Sequence, residues 1–398
     1  MEIPQRRPPK KNPHLGLRLA IAAVVLLAIG VLIFILAKKN TPAAPNTGET
    51  TAPTTQDTTV IHYAVAGDLN VTDKTVGAGD AAGYTAAFLD VAHLLARADV
   101  ASLNFEGNLC GEPYGAGGSA PQAMAEAMHK MGIDLVQMAN SYSINKGLSG
   151  LATSLNAVTA AGMEPIGAYA TNQDFAEGKG YTIKNVKGIR IAFMAFTKGM
   201  DGMALPAGSE DCVNVLYTDY DSAYQEVNEE KITSIVSAAK KEKPDLIVAM
   251  LHWGSEFNDT ISKSQESIVK LMQENGVDAI LGTHSHYVQK VAFDPATGNL
   301  VAYSLGDFFS DADRSGSEYS IVLDLQITKN NETGETKITG YTYTPIFIIN
   351  EEEKPLKVVR LNEAITAYEN GYIDKVSPET YAKMQYAKER IEARIKGE

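Results

Sequence analysis

Three of the seven histidines lie close together in the chain, each after an apolar segment. The run Leu246–Leu251 predicts a buried strand that ends at His252, and Asp278–Leu281 predicts a second strand that is followed by His284 and His286. A helix of about fifteen residues is predicted between the two strands. In an open α/β sheet, ligands bind at the carboxyl ends of the strands, and imidazoles gathered there are typical of a metal site. If the backbone is extended, His284 and His286 point the same way and suit one pair of metal ions.

Polar residues also end three earlier predicted strands, and we expect them at the same edge of the sheet. They are Asp68-Leu69-Asn70, Asn104-Phe105-Glu106 and Asn140-Ser141-Tyr142. Carboxylate and imidazole ligands together favour Mn, Fe or Zn, whereas an all-oxygen set would favour Mg or Ca. We therefore expect one or two divalent ions. A pair of such ions about 3.5–4 Å apart is a common device for phosphoester hydrolysis.

Each candidate residue also has a purely structural explanation. Asp68 suits a turn or a helix N-cap, and Glu106 suits a solvated position. His252 suits a hydrogen-bonded position in the core. Asp307, which follows a glycine, either supports the metal ligands or forms a turn.

The elements that position these residues alternate between strand and helix over most of the chain. The predicted strands are Val60–Ala66, Asp99–Phe105, Asp134–Ala139, Pro165–Ala168 and Ile189–Phe196, and the predicted helices are Tyr84–Arg97, Gln122–Met131, Leu148–Ala161 and Tyr220–Lys241. An antiparallel meander is predicted next, with strands at Val288–Phe293, Leu300–Tyr303, Ser320–Ile327 and Lys337–Tyr343. A charged helix, Tyr381–Lys396, ends the chain. This order favours the α/β class, with one α/β sheet and a second sheet packed against it.

The net charge of −13 is unevenly distributed. Residues 1–39 contain seven Lys or Arg and one Glu, which leaves −19 for the remainder of the chain. The strongly acidic charge of the chain after residue 39 excludes nucleic acid as a partner, because binding to phosphates requires a basic face. With 44% hydrophobic residues, the chain can bury a full core.

Residues 19–37 form an apolar segment without a charged or polar side chain. At about 1.5 Å per residue, this segment is long enough to cross a hydrocarbon core of roughly 30 Å, so it predicts a transmembrane helix that anchors the protein. The basic residues of 1–18 favour a cytoplasmic N-terminus, with the rest of the chain outside the cell. A cleaved signal peptide is the alternative, but its apolar region is usually only about 7–15 residues long.

The remaining chain divides into three parts. Residues 38–59 are rich in Thr and Pro, which predicts a flexible linker. We expect the folded domain at residues 60–350 and a C-terminal extension with a strand and a helix at residues 351–398. The protein is then expected in the cell membrane as a single-pass protein with an extracellular C-terminal domain. Outside the cell, a disulfide between Cys110 and Cys212 is permitted but not required.

The strand-end motifs together resemble those of the CapA-type capsule biosynthesis proteins, a family associated with poly-γ-glutamate and built on a metallophosphoesterase fold. The resemblance covers approximately residues 60–310, and its motifs are Ala66-Gly67-Asp68, Asn104-Phe105-Glu106-Gly107, His252-Trp253-Gly254-Ser255-Glu256, Gln265, Gly276-Val277-Asp278, Gly282-Thr283-His284-Ser285-His286 and Tyr303-Ser304-Leu305-Gly306-Asp307-Phe308. The fold that it implies is a metallophosphoesterase-like two-sheet α/β sandwich. The metal-ligand positions that it implies are Asp68, Glu106, His252, His284 and His286. It also implies a role in the synthesis or tethering of an anionic cell-surface polymer, with that polymer or its synthesis machinery as the partner.

The main departure from the family pattern is at residues 140–145, where the family has Asn-Asn-His-x-x-Asp. In register, Ser141 replaces the metal-binding Asn, and Tyr142 replaces the His that protonates the leaving group. Asn145 replaces the Asp, and Asn140 can be a ligand only if the loop shifts by one residue. Tyrosine, with a reference pKa of about 10, is a weaker acid than histidine near neutral pH. Two hypotheses follow: a metal-dependent hydrolase that uses Tyr142 or solvent as its acid, and a non-catalytic descendant that binds a polymer or a partner protein in the same cleft.

Overall fold

Two β-sheets form the fold in the computed structural model, which describes residues 57–79, 83–115, 117–372 and 376–398. Within these ranges the strands are β1 (Thr58–Asn70), β2 (Val100–Glu106), β3 (Leu135–Gln137), β4 (Glu164–Ile166), β5 (Thr182–Val186), β6 (Ile189–Thr197), β7 (Leu246–His252), β8 (Ala279–Thr283), β9 (Val291–Phe293), β10 (Leu300–Ala302), β11 (Asp307–Phe309), β12 (Tyr319–Asn330), β13 (Thr336–Ile349) and β14 (Lys357–Arg360). The helices in the same ranges are α1 (Asp73–Gly77), α2 (Thr85–Phe88), α3 (Ala92–Ala96), α4 (Gln122–Lys130), α5 (Gly147–Ala160), α6 (Asn172–Gly178), α7 (Glu229–Lys241), α8 (Lys263–Glu274), α9 (Leu361–Glu369) and α10 (Pro378–Lys396).

The strand order places the carboxyl ends of the central strands together. The first sheet has the order β14-β13-β12-β1-β2-β3-β4, and β11 also pairs with β1. In it, β1 to β4 are parallel and β12 to β14 are antiparallel. The second sheet has the order β5-β6-β7-β8-β10-β9, with β6, β7, β8 and β10 parallel. Each sheet therefore has an edge at which several carboxyl ends meet.

The two sheets pack against each other through a shared apolar core. Tyr63 in β1 contacts Phe193 in β6 edge to face, with ring centroids 5.3 Å apart, and its hydroxyl lies 3.8 Å from Met250 Sδ in β7. Strands β2 and β7 are buried along their whole length. This is expected for parallel strands that are covered on both faces, and it explains their continuous apolar sequences.

The predicted two-sheet α/β class is confirmed, but the predicted meander is partly wrong. Strand β10 pairs in parallel with β8 in the second sheet, and β11 pairs in parallel with β1 in the first. Within the predicted meander, β9 pairs antiparallel with β10 in the second sheet, and β12, β13 and β14 form consecutive antiparallel pairs in the first. Alternation of apolar residues indicates a strand but not the strand with which it pairs. The sequence pattern therefore does not reveal that the chain passes from one sheet to the other.

Two predicted helices are shorter in the structure. The segment Tyr84–Arg97 divides into α2 and α3. The helix predicted from Tyr220 begins only at α7, where the Asn228 side chain accepts a hydrogen bond from the Lys231 backbone N–H as the N-cap. The preceding turn is held by the Asp219 carboxylate, which accepts hydrogen bonds from the backbone N–H groups of Gln225 and Glu226. The elements α6 and β5 were not predicted, because they bury no complete apolar face.

The N-terminal predictions fall largely outside the described residues. The structure does not describe residues 1–18, the predicted membrane helix 19–37 or most of the linker 38–59. Among the described helices, none has the length and apolar character needed to cross a membrane. The C-terminal extension contains β14, α9 and α10. Cys110 and Cys212 are free thiols.

Candidate metal centre

Strand ends from both sheets bring the predicted ligands together. Asp68 lies near the end of β1 and Glu106 ends β2, while His252 ends β7 and His284 directly follows β8. The backbone N–H of His284 donates to Asp68 Oδ2 at 2.9 Å, which joins the two sheets at this point. The polar strand ends therefore meet between two sheets, and not along the edge of a single sheet as expected.

A close backbone approach brings Asp307 beside Asp68. The Asp68 N–H donates to the Gly306 carbonyl oxygen at 3.0 Å, and the two aspartates are paired in register between β1 and β11. A Cβ atom on Gly67 would lie 1.8 Å from the Gly306 oxygen, so only glycine permits this approach. Asp307, for which the sequence left two roles open, thus lies within the site.

Cluster 1 consists of Glu106, His252 and His284. All three side chains are buried, and their potential ligand atoms lie within 4.8 Å of one another. Glu106 Oε1 is 3.4 Å from His252 Nδ1, and the ring centroids of the two histidines are 4.4 Å apart. One carboxylate and two imidazoles thus converge on one point.

Cluster 2 consists of Asp68, His286 and Asp307, whose potential ligand atoms also lie within 4.8 Å of one another. His286 Nδ1 is 2.7 Å from Asp307 Oδ1 and 4.0 Å from Asp68 Oδ2. The expectation that His284 and His286 lie on an extended segment is wrong, because both have left-handed backbone with φ of 86° and 58°. The turn after β8 places their ring centroids 6.3 Å apart, each in its own cluster.

Asn104 links the two clusters. Its Nδ2 atom lies 2.7 Å from Asp68 Oδ1, 3.2 Å from Glu106 Oε1 and 3.2 Å from His252 Nδ1. Asn70 lies at the edge of cluster 2, with its Nδ2 atom 3.4 Å from the ring nitrogen of the histidine there. An amide donor held between carboxylates orients both of them, so Asn104 is suited to position ligands in each cluster.

The donor set fits divalent metal ions. Both ring nitrogens of His284 are buried and have no hydrogen-bond partner within the described part of the chain. A buried polar group without a partner costs roughly 1–3 kcal/mol, and ligation of a metal would remove that cost. The two clusters together offer three carboxylates and three imidazoles, a combination suited to Mn, Fe or Zn.

Two carboxyl groups of the site have raised pKa values. Burial raises the pKa of Asp68 to about 6, against the opposing effects of His286 and of hydrogen bonds from Asn104 and the His284 backbone. Burial also raises the pKa of Glu106 well above its usual value, and the neighbouring Asp68 carboxylate adds to this effect. A bound dication would favour the ionised forms of both groups.

The three imidazoles differ in their preferred protonation state. Burial lowers the pKa of His252 and His284 well below the usual value, and the positive charge of Lys198 contributes at both residues. Neutral imidazole is the form that binds a metal. Burial also disfavours the charged form of His286, but Glu106 and the carboxylates of cluster 2 outweigh it and raise the pKa of His286 well above the usual value. His286 must lose this proton before it can ligate a metal.

The altered loop at residues 140–142 lies against cluster 1. Ser141 Oγ is 3.1 Å from His252 Nε2. The amide of Asn140 is engaged elsewhere, because it donates to Asn104 Oδ1 at 3.1 Å and accepts the backbone N–H of Tyr142 at 2.9 Å. Tyr142 is half-buried, and burial together with nearby carboxylates raises its pKa to about 12. The structure therefore places Ser141, and not Asn140, beside a predicted ligand.

Three further residues contact the site although the sequence did not single them out. Thr283 Oγ1 lies 3.2 Å from His252 Nδ1, and Phe257 stacks on His286 with ring centroids 5.0 Å apart. Lys198 is the third, and it influences the histidines of cluster 1. Thr283 and Lys198 lie at the ends of β8 and β6, so the strand-end criterion applied above would have included them.

Fold and site together define a two-sheet α/β protein with two candidate metal-ligand clusters. The family model for the bacterial capsule synthesis protein PGA_cap matches residues 62–312. Because this match covers more than half of the chain, the chain belongs to that family. The resemblance to CapA-type proteins is thereby confirmed.

Two curated relatives carry related descriptions. The capsule biosynthesis protein CapA of Bacillus anthracis is 27% identical over 215 residues, which cover 53% of this chain and 48% of that protein. The PGA biosynthesis protein CapA of Bacillus subtilis strain 168 is 25% identical over 232 residues, which cover 58% of this chain and 55% of that protein. The chain thus spans about half the length of the curated relatives it matches.

Solved structures with a similar course of the chain include two enzymes at low sequence identity. The calcineurin-like phosphoesterase YfkN from Bacillus subtilis has a TM-score of 0.43 at 15% identity, covering 84% of this chain and 98% of that one. A phosphatase from Mycoplasma pneumoniae has a TM-score of 0.44 at 13% identity, covering 73% of this chain and 95% of that one.

Proposed function

We propose that this protein takes part in the synthesis or tethering of an anionic capsule polymer of the poly-γ-glutamate type, as a metal-dependent hydrolase of phosphoester-type bonds. The observation that carries the proposal is the pair of buried clusters, in each of which three ligand atoms lie within 4.8 Å of one another. Membership of the capsule synthesis family supports the biological setting. The descriptions of the two Bacillus relatives refer to capsule or PGA biosynthesis and support it further.

The residues of the site have distinct tasks in this proposal. Clusters 1 and 2 each hold one divalent ion of the Mn, Fe or Zn type, and Asn104 orients a carboxylate in each. When bound, such ions supply an activated water and positive charge for the attacking and leaving oxygens. Tyr142 or solvent protonates the leaving group. With its pKa raised to about 12, Tyr142 is a weak acid for this step.

We also propose that residues 19–37 anchor the protein in the cell membrane, with residues 1–18 in the cytoplasm and the folded domain outside on the linker 38–59. Such a location would bring the site to a surface polymer or its synthesis machinery. Because the body is acidic, contact with an anionic polymer is unfavourable unless bound dications offset it. Protease added to intact cells should then remove the domain from the membrane fraction. Mature protein in the medium that begins near Thr41 would contradict the anchor.

Metal content and hydrolysis, measured on the same purified protein, test the proposed activity. The wild type should retain two equivalents of metal and hydrolyse a model phosphodiester such as bis(p-nitrophenyl) phosphate. Both properties should fall in His284→Ala, because one ligand of cluster 1 is removed. The control His129→Ala changes an exposed histidine in α4 and should behave as the wild type. A wild type that retains no metal would exclude the enzyme hypothesis.

A second candidate function is binding without catalysis, which the loop at residues 140–142 favours. Ser141 offers a weaker metal ligand than the amide of the family pattern, and the raised pKa of Tyr142 disfavours proton donation. In this case the cleft would bind the polymer or a partner protein through its metal ions. Two equivalents of metal without hydrolysis of any phosphoester would support this function over the first.

A further inference from the structure

We propose that Lys198 binds a phosphoryl-type oxyanion of the substrate beside cluster 1. The inference rests on the proposed function, because it assigns a substrate contact in the same site. It adds a residue that belongs to neither cluster and to none of the motifs described above.

The position of Lys198 is set by backbone and side-chain contacts. The residue directly follows β6, and its backbone N–H donates to the carbonyl oxygen of His252 at 2.8 Å. Its Nζ atom donates to the Gly254 carbonyl oxygen, in the loop after β7, at 3.1 Å. The same atom lies 4.8 Å from the ring centroid of Tyr224. These contacts hold the ammonium group at the side of cluster 1, next to the strand end that carries one of its histidines.

The ammonium group has capacity for a further partner. One of its donor hydrogens bonds to the Gly254 carbonyl oxygen. No carboxylate lies within 4.0 Å of Nζ in the part of the chain that the structure describes. Asp201 and Glu256 are near enough to act on it electrostatically, but both are exposed to solvent. A half-buried cation without an ion pair is unfavourable. An anionic ligand at this strand end would offset that cost.

The charge balance of a metal-loaded site favours an oxyanion at this position. Two dications would outweigh the three carboxylates of the clusters, and Lys198 adds a positive charge at the side of cluster 1. An anion between the ammonium group and the ions is attracted from both directions, whereas a neutral group is not. Lysine serves as a point-charge partner of phosphate in many proteins. This local positive field contrasts with the acidic body of the protein and would select an anionic group for the site.

Binding of inorganic phosphate to the purified, Mn-loaded full chain tests the assignment by calorimetry. In Lys198→Met, the Kd for phosphate should rise roughly tenfold to hundredfold, as for loss of a charge-assisted hydrogen bond. Lys198→Arg should recover most of the affinity, because it keeps the charge. The control Lys231→Met removes a lysine that also packs over an aromatic ring, that of Phe175, and it should leave the Kd within about twofold of the wild type.

Metal content and Tm, measured on the same samples, separate the proposed role from a structural one. A Kd for Lys198→Met that equals the wild-type value, or a loss of metal in this variant, would overturn the assignment. So would a wild type that binds no phosphate, or stronger Lys198-dependent binding of glutamate than of phosphate. If Lys198→Met does not fold, Lys198→Gln keeps a donor for Gly254 and repeats the test. Phosphate binding that depends on Lys198 without any phosphoester hydrolysis would refute the hydrolase and leave the anion site standing.

Discussion

Replacing His284 with alanine should remove a metal ligand at little cost to the stability of the metal-free protein. Truncation of a buried side chain of this size usually costs about 2–5 kcal/mol through lost packing. Here the wild type also buries two ring nitrogens without partners, each of which costs roughly 1–3 kcal/mol. The two effects have opposite signs and similar size, so they nearly cancel.

The matched control is Leu281→Ala, which truncates a buried residue of β8 that has no polar atoms in its side chain. For a folded unit of about 340 residues, at roughly 2.1 cal/mol/K per residue, 1 kcal/mol corresponds to a Tm change of about 1.4 °C. Without metal, Leu281→Ala should therefore lower Tm by about 3–7 °C. His284→Ala should lower it by less than about 2 °C.

Addition of metal should close most of the Tm difference between the two variants in differential scanning calorimetry. Each site filled at about 100 times its Kd adds about 2.7 kcal/mol, or about 4 °C. The wild type and Leu281→Ala should thus gain about 8 °C from two sites, and His284→Ala about 4 °C from cluster 2 alone. His284 is not a metal ligand if metal-free His284→Ala loses as much stability as Leu281→Ala and still shows the full metal-dependent gain.

Three further predictions concern the same site. Metal affinity should fall as the pH is lowered towards about 6 and below, because the raised pKa values of His286, Glu106 and Asp68 let protons compete with the metal; affinity that is equal at pH 5 and pH 7 by calorimetric titration would contradict this. Asp307→Asn should reduce the metal content from two equivalents to one by elemental analysis, and retention of two would remove Asp307 from cluster 2. Gly67→Ala should fail to fold or lose many degrees of Tm, because its Cβ would meet the Gly306 oxygen at 1.8 Å. Gly77→Ala, with no atom within 4 Å of its Cβ, should match or exceed the wild-type Tm.

The parallel strands of the core could be predicted closely from the sequence. The prediction Leu246–Leu251 corresponds to the observed strand Leu246–His252, and Ile189–Phe196 corresponds to Ile189–Thr197. These strands are buried on both faces, so their sequences are continuously apolar and their ends are marked by polar residues. The start of α7 was missed because a carboxylate-stabilised turn before it interrupts a helical pattern.

The composition of the site could be predicted from strand ends, but its division into clusters could not. That division depends on the left-handed backbone at His284 and His286, which sends their rings to different partners. It also depends on the close contact between Gly67 and Gly306, which brings Asp307 beside Asp68. Both features are set by contacts between segments far apart in the chain, and a local sequence pattern carries no information about them.

The central claim is that two metal ions bind between the sheets, one at each cluster. Anomalous diffraction from a crystal of the protein grown with Mn²⁺ tests it most directly, because it locates the ions without reference to activity. We predict two anomalous peaks, one bounded by Glu106, His252 and His284 and the other by Asp68, His286 and Asp307. A map without a peak at either cluster, or with its peaks elsewhere on the acidic surface, would contradict the account.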